Sequence, residues 1–445
     1  MAKNTFRGGV FPMKKIKNAH EGKGPTREQP TRAYSPARVV IPVQLHLGAP
    51  SEPCVKAGER VRLGQVVATP MGGLGLPVHA SVSGTVTAIE DRIQFGGLPV
   101  RCIVIENDGL DEWVELTPLG DVETVPAESI IPAIRDAGIC GMGGATFPTH
   151  AKLTIPEGKH CDTVIVNGAE CETHLTSDFR LMLEQPLRIV DGLRAVMRAL
   201  GVERGVIAVE DNKPEAVAAL MACAEGRAGV SVVVMPTKYP QGSEKQLIKA
   251  VTDREVPAFK LPIDVHTVVV NVATAAAIAD AVTLGKPLVE RITTVTGCVR
   301  EPGNLLLRIG TLFQDAINAC GGYSQQPGKI IAGGAMTGIC APDDQVSVGK
   351  GSGGILVMNV REAKTDQEQP CIRCARCAEV CPIGLDPFLI KYYCDHEDYD
   401  GAEEHHVMEC MMCGCCAYIC PSRRWLTTSF RTARQVISAR RREEK

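Results

Sequence analysis

The chain has 445 residues, a formal net charge of −3 and 44% hydrophobic residues. This length exceeds what a single hydrophobic core normally serves, so three or four domains are expected. The near-neutral charge excludes a global electrostatic field for nucleic acid or for a membrane surface.

The cysteine content and the N-terminus indicate the compartment. There are nineteen cysteines, and the first fifteen residues, MAKNTFRGGVFPMKK, lack the apolar stretch of a signal peptide. A reducing cytoplasm is therefore favoured over a disulfide-rich secreted class. The most apolar stretch, Val265 to Gly285, is interrupted by His266, Asn271 and Asp280. We expect no transmembrane segment, so attachment to a membrane would need partner proteins.

The N-terminal quarter divides into an extended segment and a β module. Residues 1–35 are polar and rich in Gly, Pro and Lys, which predicts an extended segment lying over other domains or over a partner. Residues 36–120 contain short Val/Ile runs separated by glycines, typical of strands. The stretch 77–89 resembles the hairpins of biotinyl and lipoyl carrier domains, which implies a barrel-sandwich hybrid. Those carriers need a Lys at the hairpin tip, and residues 63–110 contain none. A structural or docking module is therefore favoured over a swinging arm.

Residues 121–288 alternate between strand and helix patterns. Four β-branched runs predict buried strands, at Thr163–Val166, Val206–Val209, Ser231–Met235 and Thr267–Val270. Amphipathic stretches predict helices at Ser129–Ala137, Pro186–Leu200, Pro214–Ala224 and Glu244–Val251. This alternation favours an α/β domain with a mainly parallel sheet covered on both faces. Ligands of such sheets bind outside the carboxyl ends of the strands.

Residues 289–360 return to β character. The order strand, turn, strand, helix over 293–322 resembles the soluble-ligand-binding β-grasp domain. The glycine-rich turn Gly333–Gly338 is interpreted as backbone geometry in preference to a phosphate cradle. A charged linker at 361–370 then leads into the cysteine-rich part of the chain.

Residues 361–425 carry the most specific motif. Two runs have the spacing Cys-x-x-Cys-x-x-Cys-x-x-x-Cys-Pro, which is the ferredoxin spacing of [4Fe–4S] clusters. Because the fourth Cys of each run usually ligates the other cluster, the spacing predicts two mixed ligand sets. One comprises Cys371, Cys374, Cys377 and Cys420, and the other comprises Cys410, Cys413, Cys416 and Cys381. Zinc sites and disulfides are the alternatives, but zinc knuckles use two Cys pairs.

The surroundings of these motifs favour a helical ferredoxin domain. Asp386–Tyr393 and Ala402–Met408 are predicted helices between the two runs, and Cys394 and Cys415 are interpreted as non-ligands because they break the spacing. The basic tail, 426–445, completes a stretch from Arg423 with seven Arg and one Lys. A solvated helix is favoured there, with a docking strip for an acidic partner as the alternative.

The second informative site is the stretch 138–152, GICGMGGATFPTHAK. It differs from the dinucleotide fingerprint because the third glycine would fall at Thr146 and because it precedes a strand. Adjacent glycines allow backbone N–H groups to approach an anion or a flat ring, and Lys152 could neutralise a phosphate. By mechanism alone, a phosphate-bearing cofactor and a structural turn are equally favoured.

A resemblance spans nearly the whole chain. Gly141–Thr149 with Lys152 resembles the flavin-binding glycine loop in the NADH-oxidising flavoprotein subunit of respiratory complex I, and the stretches 167–172, 239–244 and 270–274 resemble the same subunit. The order of modules and the Gly8-Gly9-Val10 lead resemble the C subunit of Rnf complexes, the ion-translocating ferredoxin:NAD+ oxidoreductases. Met142 and Thr146 stand where the complex I subunit has Arg and Gly.

The resemblance implies a set of site residues at the strand ends. FMN would be held by Gly141, Gly143, Gly144, Lys152, Asn167, Asn271 and Thr274. Glu170, Glu172 and Glu244 would lie near the isoalloxazine and the nicotinamide nucleotide, with Glu172 and Glu244 as the catalytic candidates. Phe147 would stack on the nicotinamide or adenine ring, and Tyr239 and Gly242 would complete the site. Structural roles compete with these: the two Asn residues could cap helices, and Glu244 stands at a helix start.

The resemblance also implies a function. The chain would be a peripheral subunit on the cytoplasmic face of the bacterial cell membrane, passing electrons between two [4Fe–4S] clusters, FMN and NAD(H). Its partners would be membrane and ferredoxin-type Rnf subunits, which translocate Na+ or H+, and it would take ferredoxin electrons indirectly. The alternatives are a soluble flavin/iron–sulfur reductase of the cobalamin-reductase type and a non-catalytic electron-relay subunit.

Overall fold

The computed structural model describes residues 4–12 and 22–443. The rest of the predicted N-terminal segment, and Glu444 and Lys445 of the tail, lie outside the described residues. Helix α1 (Gly24–Arg27) and strand β1 (Thr31–Ala33) follow the first described stretch. Strand β1 pairs in parallel with Gly303–Arg308, so the described part of the N-terminal segment lies against later parts of the chain.

The first β unit consists of two small sheets that share a core. Its strands are β2 (Arg38–Pro42), β3 (Glu52–Pro53), β4 (Arg60–Val61), β5 (Val66–Thr69), β6 (Val78–His79), β7 (Gly84–Ile93) and β8 (Pro99–Asn107). One sheet has the order β2-β8-β7-β4 and the other β3-β5-β6. Val39, Ile103 and Val86 of the first sheet join Val67 and Val78 of the second in one buried cluster, because each strand turns its apolar face inward.

The α/β unit is built on a four-stranded parallel sheet. Its strands are β9 (Thr163–Gly168), β10 (Arg204–Glu210), β11 (Val230–Met235) and β12 (Thr267–Asn271), in the order β11-β10-β9-β12. The helices are α2 (Ala127–Asp136), α3 (Thr149–Leu153), α4 (Ser177–Glu184), α5 (Pro186–Leu200), α6 (Pro214–Ala224), α7 (Glu244–Thr252) and α8 (Val272–Thr283). Apolar clusters occupy both faces of the sheet, so the predicted doubly covered parallel sheet is confirmed.

The next unit is a six-stranded mixed sheet. It comprises β13 (Glu290–Gly297), β14 (Gly303–Arg308), β15 (Pro327–Ala332), β16 (Ile339–Cys340) and β17 (Gly354–Asn359), with helix α9 (Phe313–Ala319) and with β1 at its edge. The strand order is β1-β14-β13-β17-β15-β16. The N-terminal segment thus completes a sheet whose other strands come from residues 290–359.

The C-terminal unit is helical and the cysteine runs lie between its helices. Its elements are α10 (Arg376–Glu379), α11 (Pro387–Asp395), α12 (Tyr399–Glu404), α13 (Cys415–Ile419) and α14 (Leu426–Glu443). The predicted helix Ala402–Met408 is wrong in position: Asp398 accepts a hydrogen bond from the Gly401 N–H and starts α12 earlier, while His406, at φ +66°, ends the helical run. Helix α14 buries Leu426, Phe430, Ala433 and Ile437, so it packs into this unit and only its outer face is solvated.

Candidate functional site

The principal cleft opens at the carboxyl ends of the parallel strands, where the sheet meets the other three units. It has a volume of about 800 Å3. Asn167 at the end of β9 and Asn271 at the end of β12 are register partners, so both reach the same edge. Eight of the predicted site residues line the cleft: Gly143, Gly144, Asn167, Glu170, Glu172, Tyr239, Gly242 and Asn271. The sequence prediction that these strand ends converge is confirmed.

The glycine loop is held in one conformation by hydrogen bonds at both ends. The Gly141 N–H donates to the Phe147 carbonyl at 2.8 Å, and the Met142 N–H donates to Thr274 Oγ1 at 2.9 Å. Between these anchors, a Cβ on Gly143 would lie 3.3 Å from the Asn271 Cβ. The loop therefore passes close above the end of β12 with Gly143 and Gly144 lining the cleft, which is how a backbone cradle for a flat or anionic group is built.

Several predicted residues support the loop and lie outside the cleft lining. Gly141, Phe147 and Thr274 shape the loop as described. Lys152 donates to Glu244 Oε1 at 2.8 Å and to the Val269 carbonyl at 3.1 Å. Lys152 and Glu244 thus form an ion pair with each other, and their predicted contacts with phosphate and nicotinamide stay predictions.

Asn167 and Asn271 fix the rim of the cleft through their side-chain amides. Asn271 Oδ1 accepts from the Ala273 N–H at 2.9 Å and so caps α8, while its Nδ2 donates to Asp178 Oδ2 at 2.7 Å. Asn167 Nδ2 donates to the Gly242 carbonyl at 2.8 Å. Asn271 therefore caps a helix, which was the structural role considered for it. Its side-chain N–H also bonds to Asp178, another residue of the cleft lining.

Glu170 is a buried acid of the cleft whose pKa is raised. Its side chain is 4% exposed, and burial raises its pKa from 4.5 to about 7 against the opposing charge of Lys23. Its Oε1 accepts from the Asp178 N–H at 2.7 Å, whereas Oε2 is buried without a hydrogen-bond partner. The backbone at Glu170 has φ +45°. A strained residue with a pKa near neutrality is typical of a functional position.

Glu172 lies across the cleft from the glycine loop and contacts the six-stranded sheet unit. Its carboxylate accepts hydrogen bonds from the Met336 N–H at 3.1 Å and from the Thr337 hydroxyl. Burial raises its pKa. The turn Gly333–Gly338 thus holds Glu172 at the cleft wall. This contact supports a structural role for the turn in preference to a phosphate cradle.

Two cations that the sequence analysis missed join the units around the cleft. Arg291, at the start of β13, is fully buried and donates through Nη1 to the Met142 carbonyl at 3.1 Å and to the Lys350 carbonyl at 2.5 Å. Lys350 Nζ donates to the Gly138 carbonyl at 2.6 Å. Both residues line the cleft and hold the glycine loop from outside its own domain. The sequence pattern around Arg291 did not indicate this role, because a charged residue in a strand normally faces solvent.

The cysteines divide into an inner and an outer set. The inner set, Cys381, Cys410, Cys413 and Cys416, lines one small cavity. Burial raises the pKa of Cys410 to about 11, with added contributions from charge on Cys413 and Cys381. In the outer set, Cys371, Cys374, Cys377 and Cys420, burial raises the pKa of Cys377, and charge on Cys420 adds to it. Cys381 thus lies with cysteines of the second run, and Cys420 lies near enough to Cys377 to affect its pKa; the two ligand sets stay predictions.

The inner set and the cleft share a wall. Cys413 and Met411 line both cavities. The Tyr239 hydroxyl donates to the Cys413 carbonyl at 2.7 Å in a buried contact. Burial raises the pKa of Tyr239 well above its ordinary value, so this phenol stays a neutral donor.

The donor sets fit the groups that the sequence implies. The glycine cradle and the cleft volume suit FMN with a nicotinamide nucleotide. Within residues 4–12 and 22–443, no group of three or more His, Cys, Asp or Glu side chains is arranged to hold a metal ion. The four irons of a cubane need one thiolate each around a cavity, and the inner set provides four thiols around one. Metal binding to such thiols requires that their protons be released.

Comparisons with known families agree with this architecture. Residues 4–110 match the RnfC barrel sandwich hybrid domain, residues 134–280 match the Nuo51 FMN-binding domain, and residues 292–339 match the SLBB domain. The fold and the cleft, with these matches, define an oxidoreductase subunit built on an FMN-binding domain. In the part of the chain that the structure describes, we find no helix long and apolar enough to cross a bilayer.

Relatives identify the family. The C subunit of the Na+-translocating ferredoxin:NAD+ oxidoreductase complex of Acetobacterium woodii is 45% identical over 442 residues, covering 99% of this chain and 98% of that protein. The proton-translocating counterpart of Clostridium ljungdahlii is 44% identical over 405 residues, covering 90% and 87%. An NAD+-reducing [NiFe]-hydrogenase structure in the H2-reduced state has 19% identity and a TM-score of 0.45, covering 66% of this chain and 55% of that one. The chain belongs to the RnfC family, the C subunits of ion-translocating ferredoxin:NAD+ oxidoreductase complexes.

Proposed function

We propose that this chain is the peripheral electron-transfer subunit of a membrane-bound Rnf complex. In this role it passes electrons between two [4Fe–4S] clusters, FMN and NAD(H), and so couples ferredoxin oxidation to NAD+ reduction. Partner subunits translocate Na+ or H+ and hold the chain at the cytoplasmic face of the membrane. The observation that carries the proposal is the wall shared by the inner cysteine set and the cleft, at Cys413 and Met411.

The cofactors are assigned to the two cavities. FMN lies in the cleft over the glycine loop and the strand ends at Asn167 and Asn271, with NAD(H) on its open side near Glu172. One cluster lies on the inner cysteine set and the other on the outer set. A flavin exchanges two electrons with a nicotinamide as hydride and single electrons with a cubane, which is the conversion such a chain needs.

The domain plan follows the same assignment. Residues 36–120 form the barrel-sandwich module, 121–288 the FMN/NAD domain, 289–360 the β-grasp module and 361–425 the two-cluster ferredoxin domain. The extended segment 1–35 and the basic tail 426–445 flank them. The shared core of the first two sheets, the parallel sheet and the cysteines between short helices support this division.

We infer the order of electron transfer from the solvent exposure of the two cysteine sets. Cys371 and Cys374 of the outer set are exposed, whereas Cys413 and Cys416 of the inner set are buried. We therefore place the outer cluster toward the electron donor and the inner cluster toward the flavin. Ile372, beside the outer set, is 66% exposed, which gives a neighbouring Rnf protein an apolar contact at that point.

The test is anaerobic purification followed by cofactor and electron-transfer measurements. We expect about eight irons per chain, FMN released on denaturation, and NADH-dependent reduction of an artificial one-electron acceptor. The chain should also copurify with a membrane fraction when its partners are present. Wild-type protein with far fewer irons, or without flavin-dependent NADH oxidation, would contradict the proposal; FMN without membrane copurification would indicate the soluble reductase.

A further inference from the structure

The N-terminal strap, which we define as residues 4–12, crosses the seam between the parallel-sheet unit and the cysteine unit. Val10 forms an antiparallel bridge with Tyr239: the Val10 N–H donates to the Tyr239 carbonyl at 2.8 Å, and the Tyr239 N–H donates to the Val10 carbonyl at 2.9 Å. One residue earlier, the Gly9 N–H donates to the Val380 carbonyl at 2.8 Å. Consecutive residues of the strap therefore bind the cleft side and the cysteine side.

The two glycines of the strap allow this double contact. A Cβ on Gly8 would lie 2.6 Å from the carbonyl oxygen of Cys381, a member of the inner cysteine set. A Cβ on Gly9 would lie 2.6 Å from the carbonyl oxygen of Tyr239. Both glycines have positive φ, at +74° and +81°. Only glycine satisfies the backbone conformation and the close approach together.

The strap is anchored more strongly on the cleft side. Lys238 Nζ donates to the Phe6 carbonyl at 2.6 Å and lies 4.1 Å from the centroid of the Phe6 ring. The Gln241 side chain donates to the Asn4 carbonyl at 3.3 Å. Phe6 and Val10 are both buried. Since these anchors fix the strap to the parallel-sheet unit, its remaining contacts position the backbone at Val380 and Cys381.

We propose that the strap sets the position of the inner cysteine set relative to the cleft, with Gly8 and Gly9 as positioning residues for electron transfer between the two. The proposal rests on the proposed function for its electron-transfer consequence. Its structural part, that the strap holds the seam closed, stands on the contacts alone.

The first test is Gly8→Ala with Gly158→Ala as the matched control. Gly158 has a similar φ of +76° but nothing within 4 Å of an added Cβ, so it reproduces the backbone strain without the contact. In Gly8→Ala the strap and Cys381 must move from 2.6 Å to an ordinary contact of 3.4 Å or more. A displacement of this size alters the path between flavin and clusters, so we expect electron transfer to be slower in Gly8→Ala than in Gly158→Ala.

Two readouts are measured in each protein. Hydrogen exchange of the peptides that contain Val10 and Tyr239 should become faster in Gly8→Ala and stay unchanged in Gly158→Ala. In stopped-flow mixing with NADH, bleaching of the flavin should keep its wild-type rate, whereas the iron–sulfur absorbance should respond more slowly. Lys238→Met, which removes the anchor at Phe6, should show the same pattern if Gly8→Ala does not fold.

The outcomes separate the two proposals. Unchanged hydrogen exchange in Gly8→Ala and Lys238→Met would overturn the strap proposal, as would unchanged cluster reduction in a loaded protein. Wild-type protein without iron or flavin would overturn the proposed function, while the hydrogen-exchange comparison would still test the strap.

Discussion

Replacing Arg291 with Met tests whether a residue outside the flavin domain holds the glycine loop. Arg291 Nη1 bridges the Met142 and Lys350 carbonyls at 3.1 and 2.5 Å. Methionine keeps most of the aliphatic volume and removes the donors. The loop then loses one of its links to the β-grasp module, while the Lys350 bond to the Gly138 carbonyl and the Met142 bond to Thr274 are kept.

The magnitudes separate an effect on stability from an effect on binding. Two buried carbonyls left without a donor cost about 1–3 kcal/mol each. Burial lowers the pKa of Arg291 from 12.5 to about 10, so removing this buried charge returns about 3 kcal/mol. The two terms oppose each other and leave a net cost between about −1 and +3 kcal/mol, so the thermal unfolding midpoint should fall by a few degrees at most. Binding should respond more, because a loosened loop must be ordered again by the ligand; we expect FMN affinity to fall by about tenfold, or about 1.4 kcal/mol, or more.

Titration of FMN into deflavinated protein, followed by flavin fluorescence, measures the change. Arg308→Met is the matched control, because Arg308 lies on the neighbouring strand of the same sheet and pairs with Glu290 and Asp111 away from the loop. If Arg291→Met binds FMN no more weakly than Arg308→Met does, the role assigned to Arg291 is refuted.

Three further substitutions give distinct expected results. Burial raises the folded pKa of Glu170 from 4.5 to about 7, so the folded chain holds an extra proton in this range and its stability falls as pH rises through it, by about 3 kcal/mol at most. Glu170→Gln should therefore reduce the pH dependence of the thermal unfolding midpoint between about pH 5 and 8. An unchanged pH dependence would contradict the raised pKa. Cys381→Ser should lower the iron content from about eight to about four per chain, whereas Cys394→Ser should leave it at about eight; equal iron loss in both would count against the ligand sets. Gly143→Ala brings a Cβ to 3.3 Å from the Asn271 Cβ, so FMN should bind more weakly at unchanged unfolding temperature, and unaltered binding would show that the loop has room.

The sequence predicted the parallel sheet and its ligand edge because both depend on local patterns. The strands were found from β-branched runs, and α5 and α6 agree with the predicted bounds. Helix α8 was missed because its alanine-rich sequence is buried on nearly all sides and has no amphipathic period to detect. Its N-cap, Asn271, was identified through the flavin resemblance instead.

Contacts between units were beyond sequence reasoning. Arg291 and Lys350 belong to no sequence motif. They reach their partners at Met142 and Gly138 only in the folded chain. The pairing of Lys152 with Glu244 joins two residues that were expected to face ligands separately. Cysteine spacing did predict a long-range relation, because cubane ligation constrains the fourth ligand of each run.

The strap also constrains how the protein can be made. Gly9 leaves the ribosome long before Val380, its hydrogen-bond partner about 370 residues later. At about 5–20 residues per second the strap waits roughly 20 s or more for its binding site. Its docking is therefore completed late in biosynthesis, because Val10 packs against Val380, Cys413 and Cys415 of the cysteine unit. A product truncated before that unit would leave Val10 more exposed, where chaperones and proteases recognise unfinished molecules.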